Sequence, residues 1–201
     1  MRYLLISFCF SILGCASYPD KNNFVKREVP DLVLKNTYFS DKEQDYVYKA
    51  NIDVFNKHFG GIFIVKKITD NNHRVVFTTE MGNKIFDFSF IDENFKVNYI
   101  LEDLNKKILI NILKKDFKVL TEESPVFFNA YSFDKDTVFE TEMYNKKHYY
   151  YTINNQIYKI IRSGKGKEKV VFTFKDTSSF MADVIKIEHK NLKFTINLKS
   201  I

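Results

Sequence analysis

From Tyr46 onward the chain is a series of short runs rich in Val, Ile, Phe, Tyr and Thr, separated by clusters of Asp, Asn, Glu and Gly. Runs of this length and composition are strands. Connections this short join antiparallel neighbours, because parallel strands need a crossover of a dozen residues or more. The first five runs lie at 46–55, 59–65, 73–80, 84–91 and 94–101, with Asp70-Asn71-Asn72 and Asp92-Glu93-Asn94 as hairpin punctuation. Six more follow Pro125, at about 137–142, 147–152, 156–162, 169–175, 182–189 and 192–198. The last pair alternates cleanly. Ile185 and Ile187 oppose Lys186 and Glu188, and Leu192, Phe194, Ile196 and Leu198 oppose Lys193, Thr195 and Asn197. A period of two with one polar side describes a sheet that packs one face on a core and wets the other. Gly60-Gly61 inside a strand marks a bulge or a sharp bend in a strongly curved sheet.

Residues 102–120 change period. Leu104, Ile108 and Ile112 recur every four residues, joined by Leu109, Leu113 and Phe117, while Lys106, Lys107, Lys114, Lys115 and Lys118 fall between them. That is an amphipathic helix with a cationic outer face. Glu102 and Asp103 at its start and the lysines toward its end complement the helix dipole. It covers one side of the sheet, either as a plain cap or as a lid over a cavity. The architecture expected is mainly β with helices, an α+β fold: a strongly curved antiparallel sheet or incomplete β-barrel of about eleven strands with a helical lid.

The chain carries 21 Phe and 12 Tyr but no Trp. Most of that aromatic mass belongs to a core, yet a curved sheet under a helix can enclose space that its own side chains leave open, and such cavities hold apolar ligands. Candidates to line one are Phe63, Phe77, Ile108, Ile112, Ile185, Ile187, Phe194 and Ile196. Sequence does not separate a filled core from a lined cavity.

One hairpin tip breaks the usual turn chemistry. Between the runs ending at Glu80 and starting at Lys84 stand Met81 and Gly82. Turn tips favour Gly, Asn, Asp, Ser or Pro, which supply positive φ or local hydrogen bonds. A methionine left in water there forgoes roughly 1.5–3 kcal/mol of burial unless it meets something apolar outside the fold. A membrane, a partner or a ligand would serve.

The start of the chain stands apart from the body. Met1-Arg2-Tyr3 is a short basic region, residues 4–13 are apolar but too few to span a bilayer as a helix, and Ile12-Leu13-Gly14-Cys15 follows. This pattern is a secretory signal. A small residue before a cysteine at its end is the arrangement of a bacterial lipobox, which places cleavage after Gly14 and the lipid on Cys15. The plainer alternative is an ordinary signal peptide with an incidental cysteine. The division expected is 1–14 signal, 15–45 a polar lipid-anchored tether containing Pro19 and Pro30, and 46–201 the folded body. Cys9 leaves with the signal, so a disulfide is excluded. Arg2 is the only charged residue before Cys15, so the side chains that follow carry one charge less than the +6 of the whole chain. The lysines are spread among acids and no nucleic-acid motif occurs, so that mild basicity suits an anionic lipid surface better than nucleic acid.

Convergent catalytic groups are not evident. His58, His73, His148 and His189 are far apart, and there is no His-Glu-x-x-His, cysteine pair or Gly-x-Ser-x-Gly. Gly164-Lys165-Gly166-Lys167 lacks P-loop spacing and sits between two strands, which makes it a basic hairpin turn. Asp87, Asp92 and Glu93 belong to a strand and its turn, with solvated roles expected. No cofactor or metal is expected, and no enzymatic activity.

The lipobox at Cys15, the strand-tip-strand pattern from His73 through Glu80-Met81-Gly82-Asn83 to Phe86, the helix after the next hairpin and the closing β-rich run from Ile157 to Leu198 together resemble the LolA/LolB family of lipoprotein carriers and receptors, most of all its LolB-like outer-membrane receptors. The resemblance covers about 46–201. It implies an open, incomplete barrel whose concave apolar face, under helices, receives the acyl chains of lipoprotein cargo from a soluble LolA-like periplasmic carrier. It also implies that the protruding apolar tip residue, Met81 here, helps place the cargo in the membrane. Glu80 stands where the family has Pro, and the family's tryptophans are missing. Ala16 after Cys15, in place of an acid, favours delivery to the outer membrane, where a lipid-anchored, periplasm-facing body is expected. The alternative is a cell-envelope scaffold lipoprotein of the same fold that packs against a protein partner.

Overall fold

The computed structural model describes residues 16–28, 33–177 and 181–201. The signal, Cys15 and Pro30 lie outside them. Among the described residues thirteen strands form one antiparallel sheet: β1 (Val25–Arg27), β2 (Asp45–Val54), β3 (Lys57–Thr69), β4 (Asn72–Thr78), β5 (Lys84–Ile91), β6 (Asn94–Ile100), β7 (Phe127–Phe133), β8 (Asp136–Met143), β9 (Lys146–Ile153), β10 (Gln156–Gly164), β11 (Lys167–Thr177), β12 (Ala182–His189) and β13 (Phe194–Ser200). Helix α1 (Tyr18–Lys21) precedes β1, and a 3₁₀ turn (Glu102–Leu104) and helix α2 (Lys107–Thr121) join β6 to β7. The sheet runs β1-β7-β8-β9-β10-β11-β12-β13-β2-β3-β4-β5-β6. The two hairpin meanders, β2–β6 and β7–β13, are thus fused where the last strand pairs with the first strand of the body, and β1 and β6 remain as edges. The sheet does not close.

Two strands exceed the expected eleven, and each lacks the signal that marks the others. β1 is three exposed residues paired with β7, with Arg27 also donating to Thr137 Oγ1 at 3.1 Å. In β7 a bulge between Phe127 and Asn129 resets the period of two, which returns Ala130 to the core. Gly60-Gly61 behaves differently from expectation as well. The β2–β3 ladder passes through both without a register shift, and bulges fall elsewhere in the sheet. Gly61 is there for close approach, since a Cβ on it would meet the Thr78 carbonyl oxygen at 1.9 Å.

One continuous apolar core lies inside the curve, with Tyr46, Tyr48, Ala50, Ile52 and Val54 of β2 as its regular inward row. A second, smaller cluster lies on the opposite face of the sheet. Tyr149, Tyr150 and Tyr151 of β9 show the division: Tyr150 points to the main core, while Tyr149 and Tyr151 join the outer cluster with Val138, Ile161 and Tyr18. Three consecutive buried tyrosines on a strand are possible only because both faces are covered there.

The outer cover is the N-terminal segment itself. Tyr18 is buried, its ring 4.7 Å from that of Tyr149 and its hydroxyl 2.9 Å from that of Tyr151, and Phe24 packs among Tyr131, Phe133 and Tyr149. Leu34, Tyr38 and Phe39 are buried in the main core. The described part of the expected tether is therefore docked to the body. Its sparse aromatics, Tyr18, Phe24, Tyr38 and Phe39, carry no period that sequence reading could detect.

Candidate functional site

The concave face and the helix laid on it form the candidate site. Phe63, Phe77, Phe86 and Phe88 stand on β3, β4 and β5 and converge on Phe117 of α2; the centroids of Phe63 and Phe117 are 5.3 Å apart and those of Phe86 and Phe117 are 5.7 Å apart. Leu109, Leu113, Phe117 and Leu120 form the buried stripe of α2. Of the expected lining residues, Phe63, Phe77, Ile185, Ile187, Phe194 and Ile196 all point into this core and Ile112 packs at its margin. Ile108 does not: it is 72% exposed.

The reason is a phase error of one residue. Leu104 belongs to the 3₁₀ turn, so a stripe through Leu104, Ile108 and Ile112 never forms on one helix. The helix turns its longer row inward, one position on. Glu102 and Asp103 likewise lie in the 3₁₀ turn; the first turn of α2 holds no acid, and its N-cap, Lys106, makes no side-chain capping bond. The stripe could have been found from its extent, since the row 109, 113, 117, 120 runs nearly the whole length of the helix.

The space between helix and sheet is almost entirely filled. An apolar void of about 10 Å³ lies there, bordered by Val54, Phe59, Leu104, Leu109 and Phe194, about the smallest volume that could admit one water. An acyl chain would have to displace the side chains of α2.

The two ends of α2 are held unequally. At the C-terminal end Asn36 Nδ2 donates to the carbonyls of Leu120 (3.0 Å) and Glu122 (3.2 Å), and its backbone N–H donates to the Glu123 carbonyl. Lys118 pairs with Glu122 at 2.8 Å, and Glu123 pairs with Lys67 at 2.8 Å. Midway, buried Asp116 accepts from His189 Nε2 at 2.6 Å and faces the Arg162 guanidinium at 3.5 Å. An acid within the buried stripe was not anticipated, although its spacing from Leu113 and Leu120 places it there. The N-terminal end has no side-chain capping bond; its apolar contacts are joined in the preceding turn by the Lys57–Asp103 ion pair at 2.7 Å and by the Leu101 N–H, which donates to the Ile85 carbonyl at 2.8 Å.

Met81 is 90% exposed. The turn closes through Gly82 N–H to the Thr79 carbonyl (2.9 Å) and Thr79 N–H to the Asn83 carbonyl (2.8 Å), with Gly82 alone taking positive φ, at 84°. The backbone therefore makes no demand on residue 81, and its side chain projects.

Asp87 corrects another expectation. It is 1% exposed and accepts from Arg74 Nε (2.9 Å) and Nη2 (2.6 Å), Lys84 Nζ (3.0 Å) and Asn98 Nδ2 (3.0 Å). The Arg74 bonds hold its carboxyl well below the usual carboxylate range, against the opposing effect of burial. This is a structural ion cluster on the β4–β5–β6 edge, away from the concave face. Among the described residues, no group of three or more His, Cys, Asp or Glu could hold a metal, and no helix is long and apolar enough to cross a membrane.

No family model and no curated protein matches the chain. Among solved structures it is similar to a putative outer membrane lipoprotein-sorting protein domain from Vibrio parahaemolyticus (TM-score 0.43, 8% identity, covering 78% of this chain and 83% of that one). It is also similar to the LolA superfamily protein NE2245 from Nitrosomonas europaea (0.47, 10%, 80% and 86%) and to a DUF1329 family protein from Desulfovibrio piger (0.41, 7%, 79% and 84%). Similarities of this size transfer no residue roles.

Proposed function

We propose that this chain is an outer-membrane-anchored lipoprotein carrier: it takes the acyl chains of lipoprotein cargo on the concave face of its sheet and releases them into the membrane, with no bond made or broken. The observation that carries this reading is the continuous apolar face covered by a single amphipathic helix whose N-terminal end is weakly held. Swinging α2 outward on its C-terminal fastening would expose Leu109, Leu113 and the sheet beneath them, and acyl methylenes would replace those contacts at about 0.8 kcal/mol each. Opening costs and cargo burial are then of the same kind and nearly cancel, which suits a protein that must both accept and release.

The remaining parts follow from the sequence. Cys15 would carry the lipid anchor, a soluble LolA-like periplasmic carrier would supply the cargo, and Met81 with Gly82 would form the tip that meets the bilayer. The resemblance to LolA/LolB carriers supports this assignment. The filled interior supports a second reading, a cell-envelope scaffold whose sheet packs on a protein partner.

Titration with a fluorescent acyl probe separates the two. A carrier binds the probe saturably; a scaffold with a permanently packed interior binds none, and that result would sink the carrier. Met81→Glu, on a side chain in water, is expected to leave thermal unfolding and probe binding unchanged while abolishing insertion of acylated cargo into vesicles. Undiminished insertion would remove the tip from the mechanism.

A further inference from the structure

Away from the concave face, a groove of about 400 Å³ runs between α2 and the tips of three hairpins. Its cations are Lys115 on α2, Lys146 at the start of β9, Arg162 and Lys165 on the β10–β11 hairpin, and Lys169 on β11; no carboxylate borders it. Lys115, Lys146, Lys165 and Lys169 form no ion pair among the described residues, unlike Lys57, Lys66, Lys84, Lys118 and Lys147 elsewhere. Asp116, the carboxylate that faces Arg162, is fully buried and is already bonded to His189. The four unpaired lysines around one groove repel one another, and a polyvalent anion is the ligand that relieves this.

The wall of the groove also locates it. Lys146, Ser163, Gly164 and Lys165 border both the groove and the adjoining hollow lined by Ala16, Ser17 and Tyr18. The contact is close: a Cβ on Gly166 would lie 2.5 Å from the Ala16 carbonyl oxygen, and Lys21 Nζ donates to the Lys165 carbonyl at 3.5 Å. Position 16 follows Cys15 directly, so an acylated Cys15 brings this hairpin to the lipid–water interface, with the groove beside it.

We propose that the groove binds the phosphate of an anionic lipid headgroup and thereby sets the orientation of the body on the membrane. The placement rests on the anchoring proposed above; the affinity of the groove does not. The test compares binding of the full chain to neutral phosphatidylcholine vesicles and to vesicles doped with phosphatidylglycerol, because any apolar insertion near the N-terminus contributes to both and cancels in the ratio. Wild type is expected to prefer the anionic vesicles, and Lys146→Ala/Lys165→Ala/Lys169→Ala to reduce that preference about tenfold or more. A control in Lys96, Lys135 and Lys175, exposed lysines outside the groove, should keep it. Equal loss in both triple variants, or no preference in wild type, overturns the proposal. Inorganic phosphate that binds the groove while vesicles do not would also overturn it, in favour of a small soluble phosphate compound. Acyl-probe binding is measured alongside: its loss with the preference intact counts against the carrier only, and the converse against the groove only.

Discussion

Individual side chains in this fold are set by burial more than by their sequence neighbours, and His148 shows the consequence. It is buried in β9, donates from Nδ1 to the Lys146 carbonyl at 2.9 Å and lies near Arg162. Burial, aided by the Arg162 charge, pushes its pKa from 6.5 down to about 4. Between those values the unfolded chain takes up a proton that the folded chain refuses, so the stability associated with this site is present above pH 6.5 and is lost as pH falls toward 4. The full contribution is roughly 3 kcal/mol. His73, buried and lowered in the same direction, acts with the same sign. Urea unfolding of wild type and His148→Gln across this window is expected to give a clearly shallower pH slope for the variant; parallel curves would place the titration elsewhere. Nothing in the local sequence distinguishes His148 from exposed His58, because the difference lies in what covers each strand. Met81 is the opposite case, where turn chemistry alone showed an apolar side chain out of place.

At the scale of elements, strands were legible because a period of two needs no tertiary information. Lys84–Ile91 and Ala182–His189 fall where alternation and turn residues place them. β7 and β1 were missed for physical reasons: a bulge erases alternation, and a three-residue edge strand never has any. The helix was legible as a helix but its inward face was not, since two adjacent rows of apolar residues compete and the sheet decides which packs. That choice has a dynamic consequence. The N-terminus of α2 lacks a capping bond, which is worth about 1 kcal/mol, whereas Asn36 satisfies carbonyls at the other end. Hydrogen exchange is therefore expected to be faster for amides of residues 110–113 than for 117–121, and Asn36→Ala should narrow the difference by speeding the latter. Slower exchange at the N-terminal end would rule out a lid that opens from that side.

For the whole molecule, the largest departure from the sequence reading is the N-terminal segment. A free tether of thirty residues would let the body range tens of ångströms from its anchor, each residue spanning at most about 3.3–3.6 Å. With α1 and β1 docked, a body anchored through Cys15 as proposed would instead follow its anchor closely, because Ala16 lies against the hairpin at Gly166. Docking also completes the sheet, because Tyr149 and Tyr151 would otherwise present a bare aromatic patch to water. α1 is only four residues long and is held locally by a Ser17–Asp20 capping box, too little to persist alone, so its order comes from burial of Tyr18. Tyr18→Ala is therefore expected to destabilise the protein by roughly 3 kcal/mol, within the range for a buried aromatic. It should also expose Lys26 and Arg27 to trypsin at a protease level that leaves wild type uncut there, while β2 through β13 continue to unfold as one cooperative unit. Cleavage at those residues in wild type at the same rate would mean that the segment is a tether after all, and the orientation argued for the membrane-bound body would fall with it.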